Sequence, residues 1–264
     1  MRLDSIFAIA EQYDTLLVDV WGVVYDGVHP LAEGVKALNK LKQQGKIIIF
    51  VSNNPRPSNL ARMTLQQLGI HGTINIVTSG DVMRSLLQEK HQGQKVYHLG
   101  RARNKDLLSG MNLIEVDTLD ESDFVILSCF LEEAEDFSQF DPELEYIAKQ
   151  HLLVYCPNPD IHAAHENTLR KTAGFFARRL EEKFGGQAWR IGKPNAIIFD
   201  FVNAQFPGIL QDKQKALMIG DTLTTDIQGG QQYGIDTLFV EDGISGLLRE
   251  YCDVKPTYTI KTLK

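Results

Sequence analysis

Short apolar runs alternate along this chain with segments whose apolar positions recur every three or four residues. TLLVDV at 15–20 reads as a buried strand, and AEGVKALNKLKQQG at 32–45 as an amphipathic helix that stops at Gly45. KIIIFVSNN at 46–54 reads as a second buried strand. PSNLARMTLQQLG at 57–69 opens on Pro and Ser and closes on Gly69, as helices do. Strand, helix, strand, helix is the order of a parallel sheet covered by helices, because parallel strands need long crossovers. The order returns further on. NAIIFDFVNAQF (195–206) is helical, KALMIGD (215–221) a strand, TTDIQGGQQYG (224–234) a helix softened by glycine, and IDTLFVED (235–242) a strand.

Between these halves lies a stretch with strands of its own. NIVTSGDVMRSLLQEKHQG opens it near residue 78. QKVYHLG (94–100), NLIEV (112–116), DFVILSCF (123–130) and HLLVYCP (151–157) are four further strand candidates, and QAWRIGKP (187–194) leads back. The pattern therefore predicts an α/β core made of 1–78 and 191–264, interrupted by a second α/β domain at 79–190.

Composition narrows the functional classes. The chain has 264 residues, enough for a core with an inserted domain, and a net charge of −7. Nucleic-acid binders usually carry a basic surplus, so nucleic acid is not an expected partner. No stretch approaches the ~18 consecutive apolar residues of a membrane span. MRLDSIFAIAEQYD at the start lacks the long apolar run and cleavage site of a secretory signal. Cys129, Cys156 and Cys252 stand far apart with no CxxC and read as small buried hydrophobes of a reducing compartment. A cytoplasmic protein without a membrane partner is the expectation.

In open parallel sheets, ligands bind beyond the carboxyl ends of the strands. Asp19 follows the first strand, and Ser52, Asn53 and Asn54 follow the second. Gly192-Lys193-Pro194 stands just after the insertion, and GDTLTTD, with Asp221 and Asp226, after the strand at 215–219. Singly, each is ordinary turn or cap chemistry. Gathered at one sheet edge, the acids would repel one another unless a cation sat among them. A hard, oxygen-seeking ion such as Mg²⁺ suits Asp19 and Asp221. Ser52, the backbone N–H groups of the following helix start and Lys193 suit a phosphate.

With these four motifs in this order, the sequence resembles the haloacid dehalogenase superfamily. It is most similar to the branch of nucleotide-, sugar- and pyridoxal-phosphate phosphatases with a large α/β cap between the second and third motifs. The resemblance covers essentially the whole chain. It implies a Rossmann-like parallel-sheet core with an inserted α/β cap domain. Asp19 matches the nucleophile, Ser52 with Asn53 the phosphate-binding motif, Lys193 the third-motif lysine, and Asp221 and Asp226 the fourth-motif acids. Asn54 would support them from behind. CPNPD at 156–160 resembles the cap segment before the return to the core, which implies that Asn158 and Asp160 stand near substrate. The implied function is Mg²⁺-dependent hydrolysis of a small phosphorylated metabolite through an aspartyl-phosphate. A homodimer is compatible with this reading.

One position departs from the pattern. Family phosphatases open with Asp-x-Asp-Gly, and the second Asp protonates the leaving group and then activates water. Here that residue is Trp21, which can do neither; losing a general acid–base costs ~10²–10⁴ in rate. The metal site need not suffer, since in the family this position offers the metal its backbone carbonyl. Three readings follow. The substrate has a leaving group needing little protonation, such as an acyl or aryl phosphate. Or a substitute acid acts: Asp26, carried back by a flap after Gly22, with His29 second; Asp26-Gly27 is equally a plain turn. Or the reaction is dehalogenase-like, since dehalogenases carry an aromatic residue here; they act without a metal and have a smaller cap, which weighs against this. A phospho-ligand-binding or regulatory protein with little turnover is the non-enzymatic alternative.

Other polar clusters read more simply. His162, His165 and Glu166 in DIHAAHENT lack the zinc-protease order and read as a polar loop or helix start of the inserted domain. Arg101 and Arg103 read as exposed arginines, and the acidic run EEAED at 132–136 as a solvated face.

Overall fold

The computed structural model describes residues 1–131, 135–165, 168–243 and 253–264. Residues 132–134 of the acidic run, Glu166 and Cys252 lie outside the described residues, as do the side chains of Arg101, Arg103 and His165.

The chain opens with the short strand β1 (Arg2–Leu3) and β2 (Thr15–Val18), followed by α1 (Ala32–Gln43), β3 (Ile47–Ser52), α2 (Ser58–Gln67) and β4 (Asn75–Thr78). β2 is buried along its whole length and β3 almost so. Strands covered on both faces have no reason to alternate, which is why they read as continuous apolar runs.

The chain then leaves this sheet. α3 (Ser79–Lys90) is closed at its start by a capping box, with Thr78 Oγ1 accepting from Asp81 N and Asp81 accepting from Thr78 N. There follow β5 (Lys95–Leu99), the one-turn α4 (Arg101–Asn104), β6 (Ile114–Val116), β7 (Phe124–Leu127), α5 (Asp141–Lys149) and β8 (Leu153–Cys156). β9 (His162–His165) and β10 (Thr168–Lys171) form an antiparallel pair, and α6 (Ala173–Phe184) and β11 (Trp189–Arg190) complete the excursion. The return brings α7 (Ala196–Gln205), β12 (Ala216–Gly220), α8 (Gln228–Tyr233), β13 (Asp236–Val240) and β14 (Tyr258–Ile260).

Two parallel sheets result. The larger runs β1-β14-β13-β12-β2-β3-β4, and the smaller runs β11-β8-β7-β5-β6. α3 serves both: Val82, Met83 and Leu87 are buried in one cluster with Leu17 and Ile49 of the larger sheet and Val96 and Phe124 of the smaller. Register fixes the working edge. Val18 pairs with both Phe50 and Ile219, so β2, β3 and β12 end at one level and release Asp19, Ser52 and Asp221 there.

The segment at 162–165 corrects the expectation of a polar loop or helix start. His-Ala-Ala-His has no apolar alternation to announce a strand; its pairing with Thr168–Lys171 supplies the order. β1 and β14 also escaped the periodicity, being only two and three residues long. Cys129 and Cys156 are free and buried, as expected. Among the described residues, no helix is long and apolar enough to cross a membrane.

Helices α5 and α6 cover one face of the smaller sheet through Leu144, Ile147, Phe176 and Leu180. Arg179 grips Asp141 with two parallel bonds of 2.6 and 2.7 Å, and Lys183 adds a third of 2.7 Å. The Arg179 bonds pull the Asp141 carboxyl down to about 2, against the opposing effect of its burial, and Lys183 assists. An unfolded carboxyl titrates near ~3.9. The pair's contribution is therefore full above pH ~4 and lost as pH falls through the folded value. Asp141→Asn should cost about 1–2 kcal/mol at neutral pH in urea unfolding, with the gap to the parent narrowing below pH ~4. A gap that stays constant into that acid range would contradict this.

Candidate active site

Lys193 occupies the centre of the edge where the strands end. It is 1% exposed and donates to Asp19 Oδ1 at 2.6 Å and to the Val51 carbonyl at 2.7 Å, with Asp226 Oδ1 as an ion-pair partner at 2.7 Å. Burial works against its charge, but Asp19 and Asp226 outweigh it and hold the ammonium above its ordinary range. Burial likewise pushes the Asp19 carboxyl up, with Lys193 pulling it back.

Asp221 joins this pair of acids. Carboxylate oxygens of Asp19, Asp221 and Asp226 all lie within 4.8 Å of one another, and all three residues are buried. Three acids around one ammonium leave an excess of negative charge away from water. An all-oxygen donor set of that charge suits a hard divalent cation. The backbone is shaped to permit the crowding. Gly22 has φ +76°, and a Cβ there would fall 2.0 Å from Asp221 Oδ2. A Cβ on Gly220 would fall 2.2 Å from Asp226 Cγ. Asp226 sits on a π-helical turn, Leu223–Ile227, and its Oδ2 accepts from Thr222 N at 3.1 Å.

The second strand tip is structural as much as chemical. Asn53 Oδ1 accepts from Lys193 N at 2.8 Å; its Nδ2 donates to the Lys193 carbonyl at 3.0 Å and to Asp160 Oδ1 at 2.8 Å. Its side-chain amide is thus taken up in fastening the lysine loop and the CPNPD segment to β3. Asn54 Oδ1 accepts from Arg56 N at 2.9 Å, and its carbonyl accepts from Gly80 N and Ser79 Oγ at the start of α3. Ser52 Oγ accepts from Asn54 N at 3.3 Å.

Above the acids is a cavity of about 270 Å³. Asp19, Ser52, Asn53, Lys193, Asp221 and Asp226 form its floor side, and Asn158, Asp160, Phe130 and His162 of the inserted segment reach it from the other. Trp21 and Tyr25 line it too, their rings 5.0 Å apart in an edge-to-face contact. Tyr25 and Phe130 belong to this wall with no sequence signal beyond their aromaticity, and His162 of the DIHAAHENT segment joins them. Arg56 also lines the cavity and bonds Asp106 at 2.9 Å, a link between the two halves that no motif marks.

Asp26 needs correcting as the substitute acid. Its Oδ1 accepts from Val28 N at 2.9 Å and His29 N at 2.7 Å, the plain turn reading. Burial is the largest single influence and raises its carboxyl, but the His29 and Val28 N–H groups with the His29 ring together outweigh it and hold it below the usual range, wrong for an acid. The cavity is lined by its neighbours Tyr25 and Gly27, not by Asp26. His29, 3.7 Å from Asp26, does not line it either. Asp160 does reach the cavity, where its Oδ1 accepts from Asn53 Nδ2 at 2.8 Å.

Two family models match the chain, the haloacid dehalogenase-like hydrolases over 16–114 and a HAD-hydrolase-like model over 190–264. The chain belongs to the haloacid dehalogenase-like hydrolases. The acid sugar phosphatase of Staphylococcus aureus is 26% identical over 257 residues, 96% of each chain. Among solved structures, a haloacid dehalogenase-like hydrolase from Brucella suis 1330 superposes with a TM-score of 0.86 at 28% identity, covering 99% of this chain and 100% of that one. The p-nitrophenyl phosphatase of Archaeoglobus fulgidus shares the fold, with a TM-score of 0.74, 23% identity and coverage of 95% and 97%. Within this hydrolase family the acid cluster gives a direct test that needs no substrate. Mg²⁺ at ten times its dissociation constant should stabilise the fold by about 1.4 kcal/mol, read as a rise in Tm. Asp221→Asn should remove that rise; an equal rise in the variant would refute the site.

Proposed function

We propose that the protein is a Mg²⁺-dependent phosphatase of a small phosphorylated metabolite. It works through an aspartyl-phosphate on Asp19 and lacks the usual proton-transfer residue. The observation that carries this reading is the cluster of three buried acids around Lys193, beneath a cavity small enough for a metabolite. The family membership and the phosphatases among the relatives support it. The core, 1–78 and 191–264, would supply the chemistry. The cap, 79–190, would close the cavity and exclude water, an assignment supported by the two separate sheets.

In this reading an Asp19 oxygen attacks phosphorus in line while the Lys193 ammonium faces the phosphoryl oxygens. Ser52 binds a phosphoryl oxygen through its hydroxyl. Asp19, Asp221 and the Trp21 backbone carbonyl would hold the cation, which when bound neutralises charge developing on the phosphoryl group. Asp226 holds Lys193 in place. The leaving group departs without a proton from the protein, because Trp21 has none to give.

Three outcomes follow. EDTA should abolish turnover, and Mg²⁺ should restore it. A nitrophenyl phosphate should be hydrolysed at least about 10²-fold faster than an alkyl phosphate of similar size, and Trp21→Asp should recover part of that gap. Asp26→Asn should change turnover by less than about threefold, where loss of a working acid would cost ~10² or more. If no phosphate ester or acyl phosphate turns over with Mg²⁺ present, the protein is instead a binder of phosphorylated ligands.

A further inference from the structure

The aromatic side of the cavity has no task in the chemistry above. Trp21 stands two residues from Asp19, half-buried, its ring against Tyr25, and both residues line the cavity. Phe130 and His162 line the same space from the inserted segment. Four aromatic residues therefore line a volume of about 270 Å³, just below the range that holds drug-sized ligands. Polar residues line this space too, among them Asn104, Ser128 and Asn158, while Trp21 and Tyr25 add a paired aromatic wall close to Asp19 in the chain.

We infer that this wall recognises a planar aromatic leaving group, so that the substrate class is a small aryl or heteroaryl phosphate whose ring packs against Trp21 and Tyr25. The inference rests on the phosphatase reading and deepens it. Two independent features of one residue converge. Trp21 withdraws the proton donor, which restricts the reaction to leaving groups stable as oxyanions, and it supplies the surface that an aromatic oxyanion would contact. The step balances without further reagents. An Asp19 O–P bond forms, and the P–O bond to the ring breaks with its electron pair on the aryl oxygen. The aryloxide then takes its proton from bulk water. Stacked or edge-to-face ring pairs contribute about 0.5–1.5 kcal/mol beyond burial, so about tenfold in selectivity is the expected scale.

Acetyl phosphate separates ring recognition from leaving-group quality, because it needs no protonation and has no ring. The parent protein should favour 4-nitrophenyl phosphate over acetyl phosphate in kcat/KM, mainly through KM. Trp21→Leu should lower that ratio by about tenfold, and Trp21→Phe should restore most of it. Using a ratio within each variant cancels any loss of folded protein. A ratio unchanged by Trp21→Leu, or a hexose phosphate preferred to both, would overturn the inference and leave the phosphatase reading standing. Binding gives an independent readout. The chain has two tryptophans, and Trp189 is 63% exposed and outside the cavity. In Trp189→Phe with Mg²⁺, phenylphosphonate should change Trp21 emission and methylphosphonate should not. Equal effects of the two would also overturn it. If neither phosphate turns over, the phosphatase reading fails, and the emission titration alone decides whether rings bind.

Discussion

The ammonium of Lys193 is the constraint on which the site depends. A charge this deep is tolerable only when it is paired, and here two carboxylates and one carbonyl surround it. The surrounding backbone serves that requirement. Asn53 holds the lysine loop by both its amide oxygen and its amide nitrogen. Glycines at 22 and 220 let Asp221 and Asp226 approach closer than any side chain would allow. The lysine compensates only part of the negative charge, and the remainder is what calls for a cation.

Beside that chemistry of charge, Trp21 in the place of the second motif acid is a local change. Trp21 keeps the turn, because Gly22 still takes the left-handed conformation beside Asp221. In the proposed reading, nucleophile, ammonium and cation site are separable from acid–base chemistry in this fold. A site without the second would still transfer a phosphoryl group to Asp19 while restricting what leaves and how fast water follows.

Much of this was legible in the chain. Asp19, Ser52, Lys193 and Asp221 could be read because fully buried parallel strands announce themselves as apolar runs, and their ends lie at one level. What followed from register was therefore visible; what depended on loop geometry was not. Asp26 lies seven residues past Asp19, a spacing equally compatible with a flap folding back and with a turn closed on itself. Only the N–H groups of Val28 and His29 decide between them. The antiparallel pair of 162–165 and 168–171 had no alternation to betray it, and the Arg56–Asp106 link joins residues whose charges look like ordinary surface. The aromatic wall draws on positions 21, 25, 130 and 162, which only the packing of the two sheets brings together.

The central claim is that phosphoryl transfer to Asp19 is intact while activation of water is not. Rapid mixing with 4-nitrophenyl phosphate and Mg²⁺ tests it most directly. The account predicts a burst of nitrophenolate near one equivalent per site, followed by a slow steady phase, with the phosphoryl group trapped on Asp19 and no burst in Asp19→Asn. Linear release without a burst, at the ~10 s⁻¹ of an ordinary enzyme, would contradict it, because water would then be activated as fast as the phosphoryl group arrives.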